Sequence, residues 1–166
     1  MFEQFGEMDS AQEINLLADN LVIEGDLESV KKLAAENGLD PYDTEDFLAG
    51  DAAELCTVLS AALGKLELEA KELNCKELME DWVEFIKAEC MTKDAEGHFA
   101  FAQNVRKKGK SLAGALGAIL KKSWELKHEI APKIKQAAGI NHSGRIEFGI
   151  PGAATVRKII RSYYGG

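Results

Sequence analysis

The sequence has no long apolar run, because none of its hydrophobic stretches reaches the roughly 18 residues that a membrane-spanning helix needs. Residues 1–10 are acidic and lack the basic start and apolar core of a secretory signal. Cysteine is also scarce: Cys56, Cys75 and Cys90 are odd in number and form no C-x-x-C pair, which is typical of reduced, buried thiols. These absences predict a cytoplasmic protein that does not enter a membrane.

Residues that carry chemistry are few. The histidines His98, His128 and His142 are far apart, and none has another His or a Cys four residues away, so no metal-ligand pair can be read from spacing. The acidic stretch at residues 40–51 lacks the glycine and the glutamate that a calcium loop requires. No G-x-S-x-G or H-E-x-x-H motif is present. The sequence therefore predicts a protein that is not an enzyme and needs no cofactor or metal.

Two glycine motifs resemble nucleotide- or nucleic-acid-binding loops. The Gly-Lys-Ser at residues 109–111 lacks the earlier glycine of a phosphate-binding loop, because position 104 is Asn104, and no strand pattern precedes it. A loop followed by a helix is the better interpretation. Gly114 and Gly117 fit the G-x-x-G of a KH module, but they lie inside an apolar helical pattern. Close packing of that helix against a neighbour is favoured.

Charge is abundant and unevenly distributed. Residues 1–100 hold 25 Asp and Glu against 7 Lys, a balance of −18, whereas residues 101–166 hold 3 acidic residues against 13 Lys and Arg, a balance of +10. We interpret these as an acidic and a basic helical part, packed as a single domain at this chain length. Summed surface charge selects which partners can approach. The acidic part could face a basic protein groove, and the basic part could face phosphate or fold back on the acidic part.

Apolar residues recur at helical spacing along nearly the whole chain. The exception is residues 145–150, which alternate with the period of a strand and stop at Pro151. The sequence predicts a mainly α, compact multi-helix domain with at most a short extended segment or small hairpin near residues 145–150. A capping box at Ser10 and Glu13 predicts the start of the first helix. The next helices are predicted from Asp26 to Asn37 and Gly38, from Pro41 to Gly50, and after a cap at Asp51. Further stripes of apolar residues at helical spacing lie around Trp82 and at residues 100–105, 112–120, 130–138 and 156–164.

Residues 29–50 have the pattern of a helix-turn-helix. The second helix carries acidic residues and no Lys or Arg, so DNA phosphates would repel it. A structural helix pair or a protein-facing acidic surface is the stronger interpretation, with an ordinary solvated face as the alternative. The candidate partner-binding residues are the acids of the densest run outside a clear core stripe: Asp40, Asp43, Glu45, Asp46, Asp51 and Glu54.

Basic residues of the second part provide an alternative site. The candidate nucleic-acid contacts are Arg106, Lys107, Lys108, Lys110, Arg157, Lys158 and Arg161. A solvated face, or a match to the acidic part within the same molecule, is an equally open interpretation. Tyr163 and Tyr164 could stack on bases, although their spacing from Val156 and Ile160 predicts at least one of them in the core.

Three segments carry a family resemblance. Residues 99–120, the Gly-Ile-Pro-Gly at 149–152 and the Ile-Ile-Arg-Ser-Tyr-Tyr at 159–164 resemble PcfK-like proteins, which are encoded on conjugative elements and phages of gut bacteria. The segment from Asp9 to Trp82 resembles the longer, Firmicutes-type members. Some members look like anti-CRISPR proteins that inhibit the RNA-guided effector nuclease of type II systems. The resemblance implies neither a cofactor nor active-site residues.

The resemblance and the charge pattern agree on one expectation. RNA-guided nucleases hold nucleic acid in a positively charged channel, for which a strongly acidic protein can compete. We therefore expect an inhibitor that binds a type II CRISPR nuclease in the bacterial host cell and blocks DNA binding or cleavage. The alternative is a nucleic-acid-binding accessory protein of a conjugative element that uses its basic part. The sequence leaves self-association open.

Overall fold

A computed structural model describes residues 3–140 and 144–165, so that His142 lies outside the described residues. Within these ranges the chain is mainly helical, as predicted. The helices are α1 (Ala11–Glu24), α2 (Leu27–Glu36), α3 (Pro41–Ala49), α4 (Val58–Glu72), α5 (Leu78–Ala95), α6 (Ala100–Arg106), α7 (Leu112–Leu126), α8 (Pro132–Ala137) and α9 (Ala153–Tyr164), and the strands are β1 (His128–Glu129) and β2 (Glu147–Phe148). No helix in the described part of the chain is both long and apolar enough to cross a membrane.

Side-chain caps begin the first helices where the sequence predicts them. The hydroxyl of Ser10 accepts from the backbone N–H of Glu13, while the Glu13 carboxylate accepts from the N–H of Asp9 at 2.7 Å. The carboxylates of Asp26 and Asp40 cap α2 and α3 in the same way. These caps satisfy backbone donors that have no partner inside the helix, which is why helices begin there.

The predicted start of α4 at Asp51 is wrong. Residues 51–55 form bends, and the helix begins six residues later with Thr57 as its N-cap. Thr57 and Ser60 each accept from the other's backbone N–H, which makes a reciprocal capping box. The N–H groups of Thr57 and Ser60 are both satisfied by this pair, and the helix therefore starts after Thr57 rather than after Asp51.

Buried apolar side chains form two clusters that meet on α4. One cluster is built by α1, α2 and the segment before α4, and it includes Ile14 and Leu33. The other is built by α4 to α7 and α9, and it includes Ile86 and Ile119. The adjacent residues Ala61 and Ala62 belong to different clusters, and Val58 packs against both. The boundary between the clusters therefore lies within α4, whereas the change in charge lies near residue 100.

A close backbone contact sets the position of α3. The turn between α2 and α3 lies directly on α4, where a Cβ at Gly64 would come within 2.3 Å of the Asn37 carbonyl oxygen. A Cβ at Gly38, which has a φ of +67°, would lie 2.4 Å from the Gly64 carbonyl oxygen. Glycine at both positions lets the turn touch the helix.

The strand predicted near residues 145–150 exists and has a partner. β2 pairs antiparallel with β1, with His128 opposite Phe148 and Glu129 opposite Glu147. α8 lies between the two strands in sequence and has no buried residue. The prediction that Ile130 belongs to this helix is wrong, because α8 begins at Pro132, whose fixed φ suits the first helical position.

Candidate functional site

The outer side of α3 is acidic because of the helical period. Thr44 is buried and Phe47 is half-buried, so this side of the helix faces the first cluster. Three of the exposed residues of α3 are the acids Asp43, Glu45 and Asp46. An amphipathic helix on the surface presents its polar residues in this way. The predicted helix pair of residues 29–50 is therefore present, with its charged side in solvent.

All six predicted partner-binding acids are exposed. We call them the α3 acidic face: Asp40, Asp43, Glu45, Asp46, Asp51 and Glu54. Within the described residues, none of the six lies within 4.0 Å of a cationic side-chain nitrogen. The sequence has no Lys or Arg between Lys32 and Lys65, and Lys65 is itself buried. Local compensation of the negative charge is thus small.

The structure divides the α3 acidic face into two sides. Asp43, Asp46 and Glu54 line one depression of about 220 Å³ between α3 and the start of α4. Glu45 lies on the other side of α3 and lines an apolar groove of about 250 Å³, opposite Lys31 of α2. A partner that covers α3 would meet three carboxylates on one side and an apolar groove on the other.

Arg106 does not belong to a basic surface, and its prediction as a nucleic-acid contact is wrong. It is only 1% exposed, and its guanidinium donates to the Oδ1 atom of Asn37, 69 residues away. Burial lowers the pKa of Arg106, although the nearby acids oppose this shift. Val105 and Arg106 in the last turn of α6 are both buried, so Arg106 points into the protein.

Three other predicted basic residues are engaged within the molecule. The Arg161 guanidinium donates to both carboxylate oxygens of Glu89, at 2.8 and 3.0 Å. The ammonium group of Lys110 donates to the Tyr163 carbonyl at 2.5 Å. Lys108 donates its backbone N–H to Asp9, and its ammonium group lies 4.0 Å from the Glu13 carboxylate. Part of the basic half therefore folds back on the acidic half, as one of the open interpretations expects.

The remaining basic residues are exposed but do not converge. Lys107 is at the end of α6, while the Arg157 guanidinium lies 5.2 Å from the centre of the Phe85 ring. Lys158 lines an open groove of about 590 Å³ between α7 and α9, together with Lys122. Sequence analysis missed Lys122, because only the packing of α7 on α9 brings it near Lys158.

The C-terminal tyrosines serve packing. Tyr164 is buried and meets Phe101 edge to face, with ring centres 5.7 Å apart. Tyr163 is half-buried, and its hydroxyl accepts from the Ser111 N–H. The prediction that at least one of them lies in the core is confirmed.

A buried polar junction holds the lysine-rich loop between α6 and α7 in place. Lys65 of α4 donates to the Glu7 carboxylate at 2.6 Å and to the Lys110 carbonyl at 2.8 Å, and it also reaches two carbonyls at the end of α6. One turn later, the Glu69 carboxylate accepts from the N–H of Leu112 at the start of α7. A cation at a helix C-terminus and an anion at a helix N-terminus both complement the helix dipole. Neither residue was singled out from the sequence, where each lies beside an ordinary apolar stripe.

The thiols do not form a nucleophilic site. Burial raises the pKa of Cys56 and of Cys90 to about 12, so that both stay protonated near neutral pH. Cys75 is half-buried, which corrects the expectation that all three are buried. Within the described residues, no cluster of three or more His, Cys, Asp and Glu could hold a metal ion.

The chain matches no protein-family model, no curated protein and no solved structure.

Proposed function

We propose that this protein is a non-catalytic inhibitor that docks through the α3 acidic face on a positively charged nucleic-acid channel. The resemblance to PcfK-like proteins suggests the RNA-guided nuclease of a type II CRISPR system as the target. On this proposal, the protein acts in the cytoplasm of a bacterial host and blocks the binding or the cleavage of DNA by the nuclease.

The observation that carries the proposal is the exposure of six carboxylates without an ion pair in the described chain. The basic part supports the nucleic-acid alternative less well, because Arg106 is buried and Arg161 is held by Glu89. The acidic half therefore keeps its charge available to a partner, whereas part of the basic charge is used inside the molecule.

Electrostatic attraction explains how such a surface would inhibit. A cationic channel that normally holds a nucleic-acid duplex attracts any dense anionic surface. Asp43, Asp46 and Glu54 border one depression, so a single Lys or Arg of the channel could approach all three. Such association is fast and weakens with salt, because the steering force is screened.

The test is a DNA cleavage assay with several guide-loaded type II nucleases and the variant Asp43→Lys, Glu45→Lys, Asp46→Lys. We expect the native protein to inhibit at least one nuclease, and the variant to need at least tenfold more protein for the same inhibition. Circular dichroism should show unchanged helix content, since all three side chains are exposed.

A matched control reverses three exposed acids at the other end of α4 and at the start of α5: Glu72→Lys, Glu77→Lys and Glu80→Lys. The control has the same net charge as the test variant and should inhibit like the native protein. Equal loss in both variants, or no inhibition of any nuclease by the native protein, would contradict the proposal. Affinity for free duplex DNA with a steep salt dependence would favour the accessory protein of a conjugative element instead.

A further inference from the structure

The groove between α2 and α3 is the place where a largely apolar recess meets the α3 acidic face. Most of the residues that line it are uncharged: Ala34, Ala35, Leu39, Pro41, Thr44 and Leu48. Ala34, Leu39 and Thr44 are buried, whereas Ala35 and Pro41 are exposed. The groove therefore has a buried floor and walls that are open to solvent.

The size of the groove suits a single side chain better than a small molecule. Its volume of about 250 Å³ is below the roughly 300–1,000 Å³ of typical ligand pockets. Protein interfaces concentrate their binding energy in small pockets that take one side chain of the partner. Burial of one large apolar side chain contributes about 1.5–3 kcal/mol. An apolar side chain of a partner protein therefore fits the groove.

The charged residues around the groove favour a cationic partner. Lys31 lines the groove, but it already lies 3.2 Å from the Glu28 carboxylate. Glu45 also lines the groove and has no cationic partner among the described residues. Asp40, which precedes the groove residue Pro41, is likewise exposed and without an ion pair in this part of the chain. The uncompensated charge at the groove is thus negative, which attracts Lys and Arg and repels a phosphate backbone.

Tyr42 adds an exposed aromatic ring next to the groove. It is 77% exposed, more than any other aromatic side chain among the described residues. It lies three residues before Glu45 and four before Asp46, so the three side chains are neighbours on α3. Tyrosine is enriched among the residues that contribute most to protein–protein binding. The outer side of α3 therefore fits a protein partner better than a nucleic acid or an anionic membrane.

We propose that the α2–α3 groove receives an apolar side chain from a lysine- or arginine-rich protein segment, whose flanking residues contact Tyr42 and Glu45. The inference rests on the proposed function, because this segment then belongs to the wall of the nuclease channel. Salt screens the attraction between charges but does not weaken the burial of an apolar side chain. The groove therefore supplies selectivity among cationic surfaces, which charge alone does not provide.

The test records the methyl signals of the full chain by NMR during titration with two synthetic hexapeptides. Each peptide has five lysines and arginines, and its remaining residue is leucine in one peptide and serine in the other. We expect the leucine peptide to shift the methyl signals of Ala35 and Leu48 and to bind about tenfold more tightly than the serine peptide. Equal affinity of the two peptides, or unchanged signals at the groove, overturns the proposal.

The variant Ala35→Trp fills the groove without a change in charge, at a position that is exposed. It should lose the preference for the leucine peptide and should need about tenfold more protein for the same inhibition of DNA cleavage. Tyr42→Ser should also weaken inhibition, and it provides a second variant should Ala35→Trp unfold. The matched control is Ala113→Trp, the same change at an exposed position of α7, which should behave like the native protein in both assays.

The groove and the proposed function fail in different ways. Preference for the leucine peptide without inhibition of any nuclease supports the groove as a site for a cationic protein and overturns the proposed function. Inhibition that is lost in the Asp43→Lys, Glu45→Lys, Asp46→Lys variant but unchanged in Ala35→Trp and Tyr42→Ser overturns the groove alone. A single-stranded oligonucleotide that shifts the groove methyl signals more strongly than the leucine peptide does assigns the groove to nucleic acid and also overturns the inference.

Discussion

Single residues show how burial changes the role of a charge. Lys65 and Glu69 have the spacing of an ordinary surface pair on a helix, yet both are buried and hold the ends of α6 and α7. Removal of one of the two buried residues leaves the charge of the other uncompensated. This costs more free energy of unfolding than the pair contributes. Their contribution is to fix the path of the chain between two helices.

The raised pKa of Glu69 predicts that the free energy of unfolding depends on pH. Burial raises the pKa of its carboxyl above the ordinary value of 4.5, with the Leu112 N–H and Lys65 acting in the opposite direction. The folded state therefore binds the proton more tightly than the unfolded chain does. The contribution of Glu69 is largest below its unfolded pKa and is lost as pH rises through its folded pKa.

The test compares the native protein with Glu69→Gln by urea unfolding between pH 4.5 and pH 7.5. Glutamine keeps an oxygen acceptor for Leu112 but does not titrate in this range. The free energy of unfolding of the native protein, minus that of the variant, should decrease as pH rises above the unfolded pKa and become constant above the folded pKa. A constant difference across this range would show that the folded pKa of Glu69 is not raised.

At the scale of elements, the contact between α7 and α9 depends on one of two glycines. A Cβ at Gly114 would lie 2.1 Å from the hydroxyl oxygen of Tyr163, whereas a Cβ at Gly117 would meet nothing within 4 Å. The predicted close packing is therefore correct for Gly114 and wrong for Gly117. Both glycines carry the usual helix penalty, but only Gly114 has a contact that offsets it.

Alanine substitutions at these two positions should have opposite effects. Gly114→Ala should lower the free energy of unfolding by about 1–3 kcal/mol, because it displaces the Tyr163 hydroxyl from the Ser111 N–H. Gly117→Ala should raise it by about 0.5–1 kcal/mol through better helix propensity. Chemical denaturation followed by circular dichroism measures both. The same sign for the two variants would argue against the α7–α9 contact.

At the scale of the whole molecule, α4 connects the two apolar clusters. Ala61 and Ala62 face different clusters, and Arg106 at the end of α6 donates to Asn37 at the end of α2. Loss of either cluster would expose one side of α4, so we expect the clusters to unfold together.

The variant Leu33→Ala tests this coupling. Leu33 is fully buried in the first cluster, and its truncation should lower stability by about 2–5 kcal/mol. Trp82 reports on the second cluster and is the sole tryptophan in a Trp124→Phe background. Its fluorescence midpoint in urea should shift together with the circular dichroism midpoint. Two separate midpoints would instead indicate independent units.

Local signals explain what could be predicted of the fold and the site. The caps at Ser10, Asp26 and Asp40 act within four residues, so the sequence reveals them directly. The acids of the α3 acidic face were identified as the densest acidic run outside a clear core stripe, which is also a pattern of residues close in sequence. The prediction of a helix cap at Asp51 is wrong because Thr57 and Ser60 form a competing capping box nearby. A partner for the α3 acidic face stays a prediction.

The sequence by itself determined the helical pattern, the helix starts with a single local cap and the separation of acidic from basic residues along the chain. Only the tertiary structure decided which charges remain available. Arg106 meets Asn37 across 69 residues, and Arg161 meets Glu89 across 72. Burial and ion pairing depend on contacts between distant segments, whereas propensity and capping depend on neighbours along the chain.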